Sequence, residues 1–543
     1  MAEQLEIEAA PPTRDRATED RPAVAVSRRA FVCFAAGLVA CAAGAYGWYV
    51  LHGGLYSDDW GNARAYRFAA TPRYLSAVRG GFETLGGRPL LAALLPLPHA
   101  LFGTDARLHL TLAASLAVAT SAAFWILLRQ LAVPAIEAAA MSVLALIFPW
   151  ADAIELWPTA SINTVAVILF FGGLIVALRG LSLSGRKAVA WHAVAALLYL
   201  LSVLTYEVCG AAAALAGLLY LTRAPRRAAL WRWATDVVVV TASLTYALVR
   251  TIPVRHVGTL HDRIVDVKPM AYDATVLLGQ VLVPIHRYGR VLHPLAIVGA
   301  AVLTVLVTIR WRGGIRDDST RWLAFGCGCV VALAAAYFMF LGSSLGPLQD
   351  ATGTRTNVFA RFAYAGVVVA LVAAAASLAF RRPATAKVAT FAVVFALAGG
   401  YALRLHSDEA AWVRAAAYQR HVLAAIDSRF PRLQSGTTLV TFGAPGEASP
   451  GAPVFVADWD LNGALEVRRN DASLHAFPVY EGVTVSCGPH RLVLDFPGSR
   501  GNARVPYRRL FFFDVARNRA AQVATHAACE NAHTFRPGPR SVP

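Results

Sequence analysis

Tyr56-Ser57-Asp58-Asp59-Trp60 sets two carboxylates side by side just past the first long apolar run of the chain. A charged pair so close to hydrocarbon is costly to hold, which points to chemistry at a membrane face. An ionised carboxylate in a partly dry place can take the proton of an attacking hydroxyl, so Asp58 and Asp59 are candidate catalytic bases. Two adjacent carboxylates can also share Mg2+ or Mn2+ with a substrate phosphate, which leaves a divalent cofactor open. The bland alternative is structural, since Asp also caps helices and starts solvated turns.

Cations that would complement such a base recur downstream. The stretch 252–290 carries Arg255, Arg263, Arg287 and Arg290 with several histidines, and 343–361 carries Arg355 and Arg361. An Arg fork binds two phosphate oxygens at once, so these six are candidate clamps for a donor phosphate, with Arg361, directly before an apolar run, preferred over Arg355. Solvated loops touching anionic headgroups would look the same. Four more polar residues are candidates for holding an acceptor or supporting the site. Glu207 lies between two apolar runs with almost no loop, Asp152 and Glu155 lie between Trp150 and Trp157, and Arg88 is expected to pair with an acid of its own loop.

The elements that must position these residues are membrane helices. Of 543 residues, 57% are hydrophobic and only 15% charged, against about 25% charged in soluble domains. The chain reads as an all-α polytopic membrane protein with about 11 transmembrane helices, near 30–51, 108–128, 133–150, 158–178, 189–206, 209–222, 233–251, 291–309, 322–342, 362–380 and 386–404. The Pro-interrupted stretch 89–103 reads as a juxtamembrane or re-entrant helix. With a cytoplasmic N-terminus, Arg28-Arg29, Arg129, Arg179, Arg223, Arg310 and Arg381-Arg382 all fall in inner loops, as the positive-inside rule requires. The carboxylates and the Arg-rich loops then share the outer face. This distribution also accounts for the net charge of +17 through anionic lipid, without nucleic acid.

Around this transmembrane domain, 30–404, with its first outer loop 52–107, lie three further segments. Residues 1–29 read as a disordered cytoplasmic tail. Residues 405–435 have helical periodicity and form a connector. From 436 to 543, short β-type runs separated by Gly, Pro and Asn predict a small extracytoplasmic β-rich domain. Cys487 and Cys529 lie in it and can form a disulfide in an oxidising compartment. No nucleophilic triad, phosphate-cradling loop or dinucleotide fingerprint appears.

An Asp-Asp-aromatic just after the first span, interfacial helices, and Gly87-Arg88-Pro89-Leu90 before the next span resemble bacterial polytopic glycosyltransferases of the GT-C fold. The similarity is strongest to the O-antigen glucosyltransferase type and more distant to protein O-mannosyltransferases and lipid A aminoarabinose transferases. The resemblance implies transfer of a sugar from a polyprenyl-phosphate donor to a glycan, lipid or protein acceptor on the extracytoplasmic face of a bacterial inner membrane. Asp58 or Asp59 would be the base, the Arg residues the phosphate clamp, and 89–103 part of a lipid groove. A transporter or flippase for a cell-envelope precursor is the rival expectation; it would favour internal repeats, and none is apparent.

Overall fold

The structure is a computed structural model; it describes residues 27–251, 260–284, 318–343, 345–348, 351–380, 382–497 and 502–532. Arg255, Arg287, Arg290 and the expected span 291–309 lie outside the described residues.

The protein is mostly helical, with a small C-terminal β region. Among the described residues, seven helices are long and apolar enough to cross a membrane: Arg28–His52, Ala106–Gln130, Pro158–Gly180, Gly185–Thr205, Asp318–Phe338, Ala360–Ala379 and Pro383–Arg429. Their starts follow local chemistry. Ser27 Oγ accepts from Ala30 N, and Asp105 accepts from Arg107 N and Leu108 N, so each side chain satisfies amides that the first helical turn leaves open. Large apolar side chains stay uncovered along these helices. Phe395 is 82% exposed and Leu403 77%. Such a surface is unfavourable in water and suits lipid.

Several expected elements take another form. The span placed at 133–150 is a 12-residue helix, Ala135–Leu146, followed by a turn and the short helix Ala153–Leu156. The run 209–222 breaks into Gly210–Ala214 and Gly217–Tyr220. Helix Arg226–Thr251 is long enough to span, but it buries an Arg232–Asp236 ion pair. The stretch 252–290 is not a loop throughout: Leu260–Leu282 is a helix, anchored where Tyr401 and Tyr364 donate to the carbonyls of Val281 and Ala274. Residues 89–103 form two short helices, Pro89–Leu94 and Pro96–Phe102, with Pro at the first helical position of each. The last span and the connector are one unbroken 47-residue helix, Pro383–Arg429, about 70 Å long.

The two ends of the bundle differ. At one end, Arg223 donates to the Gln130 carbonyl and Arg321 to the Ala132 carbonyl, so basic turns gather there. At the other end lie the first-loop helix Asp58–Arg67, the elbow 149–161 and the turn Ala351–Asn357. Three buried tyrosines draw these pieces together. Tyr46 donates to the Leu146 carbonyl, Tyr49 to the Leu156 carbonyl and Tyr56 to the Trp412 carbonyl of the long helix.

The long helix carries the C-terminal domain, with Phe430 against Phe511 and Phe513. A four-stranded sheet runs in the order β4 (His475–Pro478), β1 (Thr438–Phe442), β8 (Leu510–Asp514), β9 (Arg519–Gln522). β1 is parallel to both neighbours, and β9 is antiparallel to β8. A three-stranded antiparallel sheet, β5 (Thr484–Cys487), β6 (Arg491–Asp495) and β7 (Ala503–Pro506), packs against it through Leu492, Leu494, Val505, Val440 and Phe512. Cys487 and Cys529 are joined by a disulfide. The domain also contains the helix Asp460–Arg469, which the β-type runs did not predict.

Candidate active site at the seam between the first loop and the C-terminal domain

Asp58 and Asp59 open the same helix but have different surroundings. Asp59 is buried, 1% exposed. Its Oδ2 accepts from Tyr56 N at 2.7 Å, and its Oδ1 accepts from Thr159 N at 2.7 Å and Thr159 Oγ1 at 2.5 Å. Burial raises its carboxyl to about 7, although the three donors favour the charged form. Asp59 therefore ties the first loop to the elbow. Asp58 is partly exposed, and its Oδ1 accepts from the indole Nε1 of Trp459 at 3.1 Å, across the seam to the C-terminal domain.

The seam itself is tightly made. Arg64 Nε meets Glu466 at 2.5 Å, and Trp60 Nε1 donates to Gln419 of the long helix. Gly463 lies so close to the Trp60 carbonyl that a Cβ there would be 2.6 Å from its oxygen. Asp460, buried at the N-terminus of its helix, accepts from the amides of Val456, Ala457 and Leu461; burial raises its carboxyl to about 7, with Asp58 contributing.

The four expected cations among the described residues take different places. Arg355 stacks over the Trp157 ring at 5.3 Å, while Trp157 Nε1 donates to the Tyr56 carbonyl at 3.1 Å. Arg355 thus stands one aromatic ring from the carboxylate loop and remains partly exposed. Arg361 does not: it is fully buried and ion-paired with Glu155, so the preference for Arg361 over Arg355 is reversed. Arg263 lies partly exposed on helix Leu260–Leu282. Arg88 pairs through two nitrogens with Glu207, 119 residues away, and not with an acid of its own loop; it also lies 4.6 Å over the Tyr206 ring. Gly87 beside it packs on helix Arg226–Thr251, where a Cβ would overlap the Ala247 backbone.

Asp152 belongs to a neighbouring chamber of about 270 Å3 between the elbow, the long helix and the hairpin of β2 (Glu447–Ser449) and β3 (Ala452–Pro453). It is buried and accepts from Thr354 Oγ1 at 2.7 Å. Burial, then the nearby Asp408, raises its carboxyl well above the usual range. Arg404, 3.7 Å from Asp408 and 5.1 Å over the Trp150 ring, lines the same space with Arg414. Asp58 and Asp59 do not line it.

The sequence reading missed Trp459, Glu466, Thr159, Arg404 and Asp408. Only the last two left a local signal, an Arg and an Asp four residues apart at the end of the final apolar run. Three protein donors already sit on the Asp59 oxygens, two on Oδ1 and one on Oδ2. No cluster of three or more His, Cys, Asp or Glu side chains converges among the described residues. Compared with known proteins, the chain matches no family model and no curated protein.

Proposed function

We propose that this protein is a membrane glycosyltransferase of GT-C type that moves a sugar from a polyprenyl-phosphate donor to a hydroxyl of a glycan, lipid or protein acceptor. The observation that carries the reading is the division of labour in the Asp pair. Asp59 is spent on holding the loop, and Asp58 is presented, partly exposed, where the first loop, the elbow and the C-terminal domain meet. Asp58 takes the acceptor proton as the hydroxyl oxygen attacks the anomeric carbon. The carbon–oxygen bond to phosphate breaks, and the polyprenyl phosphate leaves with the electron pair. Arg355, partly exposed and stacked on Trp157, is a cation suited to that phosphate. The Asp152 chamber, with its carboxylates and guanidinium groups, suits a sugar's hydroxyls. An eleven-span topology, with the basic turns cytoplasmic and the disulfide-bearing domain outside a bacterial inner membrane, is the arrangement this reading requires.

The test is transfer from radiolabelled polyprenyl-phosphate sugars by purified protein in detergent. Asp58→Asn should lose 10²-fold or more, the scale on which a general base acts, and still bind donor. Equal rates in wild type and Asp58→Asn would remove Asp58 as base. Ion pairs buried among the helices, Arg361–Glu155 and Arg232–Asp236, favour one alternative, a transporter or flippase. Donor movement across vesicles without transfer to any acceptor would decide for it.

A further inference from the structure

The C-terminal domain has a second concavity, which none of the seam residues lines. It is a cleft of about 480 Å3 between the edge of the four-stranded sheet and the edge of the three-stranded one. Phe477, Val505 and Pro506 give it an apolar side, and Thr438 lies at its base. Arg504, Arg508 and Arg509 stand at its rim, all exposed. Arg509 is braced on the Ser435 carbonyl, and none of the three is in an ion pair among the described residues. The two acids nearby are engaged elsewhere. Asp471 accepts from Ser435 and Ser473, and Glu466 holds Arg64 while lying 3.8 Å from His475 of the cleft.

We infer that this cleft binds an acidic saccharide, a sugar unit carrying carboxylate or phosphate. Three rim guanidiniums without carboxylate partners supply bidentate anion sites. An aromatic face beside them suits the apolar face of a sugar ring. The space matches a ligand of one or two sugars. An added peptide strand fits less well, because β4 ends in Pro478 and β7 in Pro506, and proline cannot extend a ladder. The inference does not rest on the transferase reading.

Equilibrium binding to the full-length protein in a neutral detergent tests it. The probes are trigalacturonate for carboxylate, glucose 1-phosphate for phosphate, maltotriose as the uncharged control, hexaglutamate as an acidic peptide, and phosphatidylglycerol vesicles. At least one charged sugar should bind, ten-fold or more tighter than maltotriose, and weaken as salt rises. Arg504→Gln/Arg508→Gln should weaken it at least ten-fold. Both side chains are exposed, so an unchanged thermal midpoint is expected and separates lost binding from lost folding. Equal binding by wild type and the double variant, or by maltotriose and the charged sugars, overturns the inference. So does Arg-dependent binding confined to hexaglutamate or to the vesicles.

Discussion

Asp59 is a buried carboxylate that ties the first loop to the elbow through Tyr56 and Thr159. Its raised carboxyl, about 7, has a consequence for stability whose sign is definite. Between an ordinary carboxylate value and about 7, the folded state keeps a proton that the unfolded chain has released. The stabilisation is complete below about pH 4 and is lost as pH rises through about 7. The thermal midpoint of wild type should therefore fall from pH 5 to pH 8 more steeply than that of Asp59→Asn, by on the order of 2 kcal/mol across that window. Parallel profiles would show that Asp59 does not titrate there. Asp59→Ala leaves the Tyr56 amide and both Thr159 donors without their acceptor, and should cost about 2–4 kcal/mol of stability. The pair was legible as a pair because adjacency is local. Its division of roles was not, because Thr159 and Trp459 are 100 and 401 residues away.

At the scale of elements, the elbow and the helix Ala360–Ala379 are joined by Glu155 and Arg361, both almost wholly buried. Removing one partner strands the other charge in an apolar core, so Glu155→Gln should destabilise by about 3–5 kcal/mol, measured as loss of thermal midpoint and of monodisperse protein. Glu155→Leu/Arg361→Met replaces the pair with apolar groups and should recover most of that loss. If the double variant is no better than the single one, the ion pair has a role beyond packing. Helices such as Arg28–His52 and Ala106–Gln130 were readable because a span is a continuous apolar run with a capping residue before it. The span expected at 133–150 is a 12-residue helix, Ala135–Leu146, with an elbow after it, a break that composition does not show, because an apolar segment buried by neighbouring helices has the same composition as one buried by lipid. The helix Leu260–Leu282 was hidden by its charged first half and by Pro269.

At the scale of the molecule, the 47-residue helix holds both the last apolar stretch long enough to cross a membrane and the mount of the C-terminal domain. It holds that domain against the first loop through Gln419, while Arg64–Glu466 joins the two directly. The Cys487–Cys529 disulfide closes a loop of 42 residues and should contribute about 4 kcal/mol to the domain. Cys487→Ser/Cys529→Ser should make the domain the first part cut by protease while the helices stay intact. Simultaneous loss of both would mean that they unfold as one unit. The sequence by itself determined that the chain is mostly helical with a separate β region, where most of the helices long and apolar enough to cross a membrane run, and that Asp58-Asp59 leads into the first loop. Composition, apolar run length and adjacency are properties of the chain, and the bilayer or the strand pattern reads them directly. Only the tertiary structure decided that Arg361 is buried against Glu155, that Arg88 belongs to Glu207, that Arg355 stacks on the Trp157 ring that holds the carboxylate loop, and that Trp459 donates to Asp58. Each of these depends on which distant segments pack together, and ion-pair and aromatic partners carry no mark in sequence of who their partner is.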